Sequence, residues 1–125
     1  MEQIFTELAP KAIGPYTQAI RTGNLLYCSG QTPIDPATMK IEGSTIENQT
    51  KRVIDNLEIV LRAAGLALKN VVKTNVFITD MALFPQMNAI YMSCFGNHRP
   101  ARSTVAVKGL PYAAMVEIEC IAEYN

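Results

Sequence analysis

Arg102, in Pro100-Ala101-Arg102-Ser103-Thr104-Val105, and Glu117, fourteen residues beyond Ser103 in Val116-Glu117-Ile118-Glu119, have the clearest capacity for chemistry in this 125-residue chain. A guanidinium presents parallel donors to a carboxylate and keeps its charge at neutral pH. A carboxylate beside it supplies the complementary role, orienting or deprotonating a water that attacks the bound molecule. Both residues lie on stretches that read as strands, separated by a Gly109-Leu110-Pro111 corner. The pattern predicts a hairpin on which the two side chains converge on one small anionic ligand. The same spacing also fits a cross-strand ion pair, or two residues on a solvated face, and spacing alone does not separate these.

The elements that must position this pair are legible from period and punctuation. Leu25 to Ser29 reads as a strand ending at Gly30, entered through a Gly23-Asn24 turn from Gln18–Arg21 as an antiparallel hairpin. Pro33, Pro36 and Gly43 mark a loop, and Ser44-Thr45-Ile46-Glu47 offers a capping-box start. Val53, Ile54, Leu57, Val60, Leu61 and Ala64 then recur at helical spacing, with Gly65 placed as the stop. Val71–Ile78 is β-branched and reads as a strand. A second helix is predicted from about Phe84 to Phe95, with Pro85 in its first turn and Gly96 at its end. Its stripe of Phe84, Met87, Tyr91, Cys94 and Phe95 reads as core. Strands over Ser103–Val107 and Val116–Glu123 close the sheet; on the latter, alternation sets Val116, Ile118, Cys120 and Ala122 against Glu117, Glu119, Ile121 and Glu123. Three acids sharing a face with Ile121, and two helices to cover only one side of a sheet, point to oligomerisation through the uncovered side.

Composition narrows the function. The length suits one domain, 1–125, of mixed α and β structure. Eleven basic and eleven acidic residues cancel, and no run of Lys or Arg exceeds Lys51-Arg52, so a nucleic-acid surface is not expected. Cys28, Cys94 and Cys120 are odd in number and set in apolar stretches, which suits reduced core thiols of a cytoplasmic protein. With His98 the only histidine and no cysteine pair at ligand spacing, no metal site is expected. The first ten residues lack the basic and apolar regions of a signal peptide, and no apolar run approaches a membrane span.

Landmarks along nearly the whole chain resemble the RidA/YjgF family of reactive-intermediate deaminases. They are Ala12-Ile13-Gly14-Pro15-Tyr16, Ser29-Gly30-Gln31, Asn56-Leu57, Lys73-Thr74 with Val76, Asn88 and Tyr91, Pro100-Ala101-Arg102-Ser103 with Val105, and Val116-Glu117-Ile118-Glu119. The resemblance implies an α+β, chorismate-mutase-like subunit, two helices on one face of a mixed sheet, assembled as a homotrimer with sites between subunits. It implies hydrolysis of enamines and imines released by pyridoxal-phosphate enzymes to 2-oxo acids and ammonia, with no cofactor. Arg102 would hold the carboxylate of a 2-imino acid and Glu117 would orient water. Tyr16, Ser29, Gly30, Asn88 and Thr104 are the further substrate-binding candidates: Gly30 through close backbone approach, Tyr16 and Ser29 as polar walls across a subunit boundary, and Thr104 through its backbone.

The chain departs from the family pattern in two places. Thr104 stands where many members carry cysteine, so chemistry that depends on a thiol there is absent. Arg99 precedes Pro100 where an aromatic is frequent; it either favours acids with a second anionic group or faces solvent. Two rival functions accompany the deaminase reading. One is an endoribonuclease that inhibits translation, against which stand the zero net charge and the lack of a histidine pair. The other is a 2-oxo acid sensor or chaperone-like trimer that performs little chemistry.

Overall fold

The computed structural model describes residues Met1–Asn125. In chain order the elements are β1 (Glu2–Ile4), β2 (Ala19–Thr22), β3 (Leu25–Gln31), β4 (Ile34–Asp35), β5 (Lys40–Ile41), α1 (Ile46–Ala63), β6 (Val71–Ile78), α2 (Phe84–Phe95), β7 (Ala101–Ala106) and β8 (Val116–Glu123). Six strands form one mixed sheet in the order β1-β2-β3-β8-β6-β7, and β4 and β5 form a separate two-stranded ribbon. Both helices pack on the same face of the sheet, making an α+β subunit with one face bare.

Local chemistry accounts for most boundaries. Gly23, at φ 59°, makes the two-residue β2–β3 turn that pairs Thr22 with Leu25. Helix α1 starts one residue later than the capping-box reading: Thr45, not Ser44, is the N-cap, and its side chain accepts from the Asn48 amide. It ends in a Schellman turn, the Gly65 amide donating to Arg62 and the Leu66 amide to Leu61, with Gly65 at φ 82°. Helix α2 carries Pro85 in its first turn and Gly96 at its end, and Asp80 caps the short 3-10 turn before it.

The hydrophobic core lies between the helices and one sheet face. Val53, Ile54, Leu57, Val60 and Leu61 of α1 are essentially inaccessible, as are Val116, Ile118 and Ala122 of β8 and Val76 and Ile78 of β6. Met87, Tyr91 and Phe95 complete it from α2, while Phe84 and Cys94 pack at its edge. The predicted alternation of β8 therefore holds, its acids facing the bare side.

The predicted β7–β8 hairpin does not form. Strand β7 pairs only with β6, in parallel, because α2 returns the chain to the start of β6 before β7 begins. Strand β8 inserts between β3 and β6, antiparallel to both. The physical reason lies in the side chains: β8 is buried along one whole face and suits the centre of a sheet, whereas β7 is largely exposed and suits an edge. Residues 107–115 span the gap, with Tyr112 and Ala113 both in the left-handed region at φ 61° and 55°.

Buried polar side chains tie the loops to this frame. Asn56 of α1 is inaccessible and donates to the carbonyls of Thr32 and Ile34 at 3.1 and 2.9 Å, while accepting from Arg52 Nε. It holds the chain leaving β3. Replacing Asn56 with alanine strands both carbonyls and is expected to cost about 2–4 kcal/mol in urea unfolding. A loss under about 0.5 kcal/mol would show that the loop does not need this anchor. Gln49 acts similarly on the entrance to β8, accepting from the Met115 amide at 2.8 Å and donating to Gly43.

Candidate active site

Arg102 and Glu117 lie on opposite faces of the sheet. Arg102 is paired in parallel with Thr74, whose side chain is buried against α2, so the guanidinium projects to the helix side. Glu117 alternates with Val116 and Ile118, both fully buried, so its carboxylate projects to the bare side. The expected convergence of the two within one chain is therefore incorrect, because it assumed the hairpin that β8 does not make. Neither residue belongs to an ion pair: the chain's two are Lys51–Asp55 and Arg62–Glu58, both on α1.

On the helix side, the guanidinium of Arg102 is held by α2. Its Nη1 donates to Asn88 Oδ1 at 2.7 Å, and its Cζ lies 4.7 Å from the Tyr91 ring centroid and 5.5 Å from that of Phe84. Stacking on aromatic faces fixes the plane of the guanidinium and leaves it without an anionic partner in its own chain. Tyr91 is fixed in turn by a 2.8 Å hydrogen bond between its hydroxyl and that of Thr74. Burial pushes the Tyr91 phenol up from its ordinary range. Arg102, Asn88 and Tyr91, with Met92, Arg99 and Pro100, line a cleft of about 390 Å³. Thr104 sits beside Val76 on this side; its hydroxyl is enclosed and has no partner, so its backbone is the part available at the sheet edge.

On the bare side, Glu117 meets Gly30. A Cβ on Gly30 would fall 2.5 Å from Glu117 Oε2 and 2.9 Å from its Cδ, so the missing side chain leaves the carboxylate its present place, and any larger residue would push it aside. This occurs where the β3–β8 register shifts between Cys28 and Gln31. Burial, and then the neighbouring Glu119, raise the Glu117 carboxyl above the usual carboxylate range. Tyr16, Gln18, Thr32 and the strained Tyr112 surround the same small cleft of about 80 Å³. Ser29 falls outside it: its hydroxyl donates to the Thr17 carbonyl at 2.6 Å and borders a broader hollow of about 710 Å³ on the open sheet face, shared with Tyr16, Tyr27 and Ile121.

The candidate residues therefore fall into two groups: Arg102 and Asn88 share one cleft, with Thr104 on the same sheet face, and Glu117, Gly30 and Tyr16 share another on the opposite face. The sequence reads Phe84 only as core, and Tyr91 as core and as a landmark of the family beside Asn88, although an aromatic one helical turn from Asn88 is a signal for guanidinium stacking. His98 is not a free surface residue, since its Nε2 lies 2.6 Å from the Val71 carbonyl oxygen.

Two helices over one face of a six-stranded mixed sheet, with the other face bare, define a YjgF-like α+β subunit. The chain belongs to the Endoribonuclease L-PSP family, whose model matches residues 6–124 and whose members include the RidA/YjgF proteins. It is 49% identical to a RutC family protein of Pyrococcus horikoshii, over 97% of this chain and 96% of that one. It is 44% identical to the chloroplastic Reactive Intermediate Deaminase A of Arabidopsis thaliana, over 97% of this chain and 65% of the relative. The crystal structure of a Thermotoga maritima protein, provisionally designated an endoribonuclease, superposes with a TM-score of 0.97 at 50% identity, covering 100% of this chain and 98% of that one. Escherichia coli TdcF, solved with bound serine, superposes at 0.95 with 37% identity and full coverage of both chains. No helix is long and apolar enough to cross a membrane.

Proposed function

We propose that this protein hydrolyses 2-imino acids such as 2-iminobutanoate and 2-iminopropanoate to 2-oxo acids and ammonia, at sites completed between subunits of a homotrimer. The observation that carries the reading is the separation of a stacked, ion-pair-free Arg102 from a half-buried Glu117, its proton affinity raised by burial, on opposite faces of one sheet. Two such groups act on one small molecule only when the helix side of one copy meets the bare side of another. The half-apolar bare face, with Tyr27 about half exposed beside Ile121, suits such packing. The deaminase among the relatives, and the amino acid bound to TdcF, support a small carboxylate as ligand.

The chemistry follows from the residues. Arg102 holds the substrate carboxylate, with Asn88 and the Tyr91 ring setting its angle. Water attacks the carbon of the protonated imine while the Glu117 carboxylate accepts its proton, forming a neutral tetrahedral carbinolamine. Glu117 then returns the proton to nitrogen, the C–N bond breaks as the carbinolamine hydroxyl gives its proton to the regenerated carboxylate, and ammonia leaves a 2-oxo acid. A carboxyl whose proton affinity is raised by burial suits both transfers.

The name of the family carries the rival, RNA cleavage. The chain's single histidine is engaged with the Val71 carbonyl, which disfavours the usual acid–base route. The reading is tested by generating 2-iminobutanoate from threonine with a dehydratase and trapping what remains with semicarbazide. The protein is expected to lower the trapped fraction, whereas undiminished trapping would leave a non-catalytic 2-oxo acid binder as the better account. Gly30→Ala provides a sharper check. Its methyl group displaces the flexible Glu117 carboxylate rather than the backbone, so turnover is expected to fall about 10- to 100-fold with little change in Tm. Full activity in that variant would remove Glu117 from the mechanism.

A further inference from the structure

Arg99 has no part in the chemistry above, yet it lines the same cleft as Arg102. The cleft contains two guanidinium groups and no acidic side chain, and neither cation is in an ion pair within the chain. Arg99 is held at the rim, its Nη1 donating to the carbonyls of Gly96 and His98, which leaves Nε and Nη2 without acceptors in the chain. Arg102 is immobilised by Asn88 and Tyr91. Two like charges in one concave surface repel each other, and the arrangement is relieved by a ligand that brings two negative groups. Both cations act on the Tyr91 hydroxyl, opposing the upward shift that burial imposes. A monoanion would satisfy Arg102 alone.

We infer that this cleft selects dicarboxylic 2-imino acids, such as 2-iminosuccinate and 2-iminoglutarate, with the carboxylate next to the imine on Arg102 and the distal carboxylate on Arg99. The inference rests on the deaminase reading of the same site and makes Arg99 a specificity-determining residue. The reaction is unchanged in balance: one water adds at the imine carbon, one C–N bond breaks, ammonia leaves, and the distal carboxylate is not altered.

The test compares kcat/KM for 2-iminoglutarate and 2-iminobutanoate, each generated in place from its amino acid, in wild type, Arg99→Gln and Arg99→Lys. In parallel, calorimetry measures binding of 2-oxoglutarate and 2-oxobutanoate, which needs no turnover. The ratio of dicarboxylate to monocarboxylate is expected to fall about tenfold or more in Arg99→Gln, the size of one charge-assisted hydrogen bond. Arg99→Lys is expected to restore much of it in both measurements. A ratio unchanged by Arg99→Gln, or an equal fall for both compounds, would overturn the assignment. Should wild type clear neither imine, the deaminase reading fails, and the binding ratio alone then decides the role of Arg99.

Discussion

Arg102→Ala is expected to lower kcat/KM for 2-iminobutanoate about 10²- to 10³-fold, because it removes two charge-assisted hydrogen bonds to the substrate carboxylate. The stacked geometry makes a further distinction possible. Arg102→Lys keeps the charge but loses the planar fork and its fit on Tyr91 and against Asn88. It is expected to recover less than a tenth of the lost activity. Full recovery with lysine would show that only a positive charge is needed, and that the stack and the Asn88 contact have no catalytic consequence. The fold should survive both changes, since Arg102 lies on the edge strand β7 outside the core.

The second large effect concerns Glu117. Glu117→Gln is expected to reduce kcat by about 10²- to 10⁴-fold, the usual contribution of a positioned acid–base group, while raising Tm near neutral pH. The sign follows from linkage. Burial and Glu119 raise the carboxyl in the folded state, so the folded protein holds this proton more tightly than the unfolded chain does. The associated stability is fully present below the unfolded carboxylate range and is lost as pH rises through the raised folded value. Above that window the wild type carries the penalty of a partly buried charge beside Glu119, and glutamine removes it. The Tm gain of Glu117→Gln should therefore shrink as the pH is lowered through the carboxylate range. A variant that is less stable than wild type at neutral pH would contradict the assignment of Glu117 as a strained, functional carboxylate. Loss of turnover also separates the enzyme from a sensor, which would bind 2-oxo acids equally well with or without this group.

Much of the framework was legible because its signals are local. Helix α1 announced itself by its apolar spacing and Gly65, α2 by Pro85 and Gly96, and β6 by its β-branched run. The short strands β1, β4 and β5 had too few residues for any period to emerge. The hairpin error was of another kind: whether β8 pairs with β7 or inserts between β3 and β6 is decided by long-range burial, which adjacent residues do not encode. That error carried into the site. Arg102 and Glu117 were recognisable by type and neighbours, but which face each occupies depends on the register of β7 on β6 and of β8 on β3. Gly30 was read as a place where backbone approaches ligand, whereas its missing Cβ makes room for the Glu117 side chain. The two readings are compatible, but only the three-dimensional contact reveals the second.

Opposite placement on one sheet makes a shared site the central claim, and complementation between two inactive variants tests it most directly. Arg102→Ala and Glu117→Gln chains would be co-refolded, mixed oligomers verified by native mass spectrometry, and imine clearance measured by semicarbazide trapping. With random association, about a quarter of the sites pair an intact Arg102 from one chain with an intact Glu117 from its neighbour. Activity is therefore expected to return to about a quarter of wild type, from two components that are each nearly inactive. Mixed oligomers as inactive as their parents would contradict the account, showing that Arg102 and Glu117 do not meet across a subunit boundary.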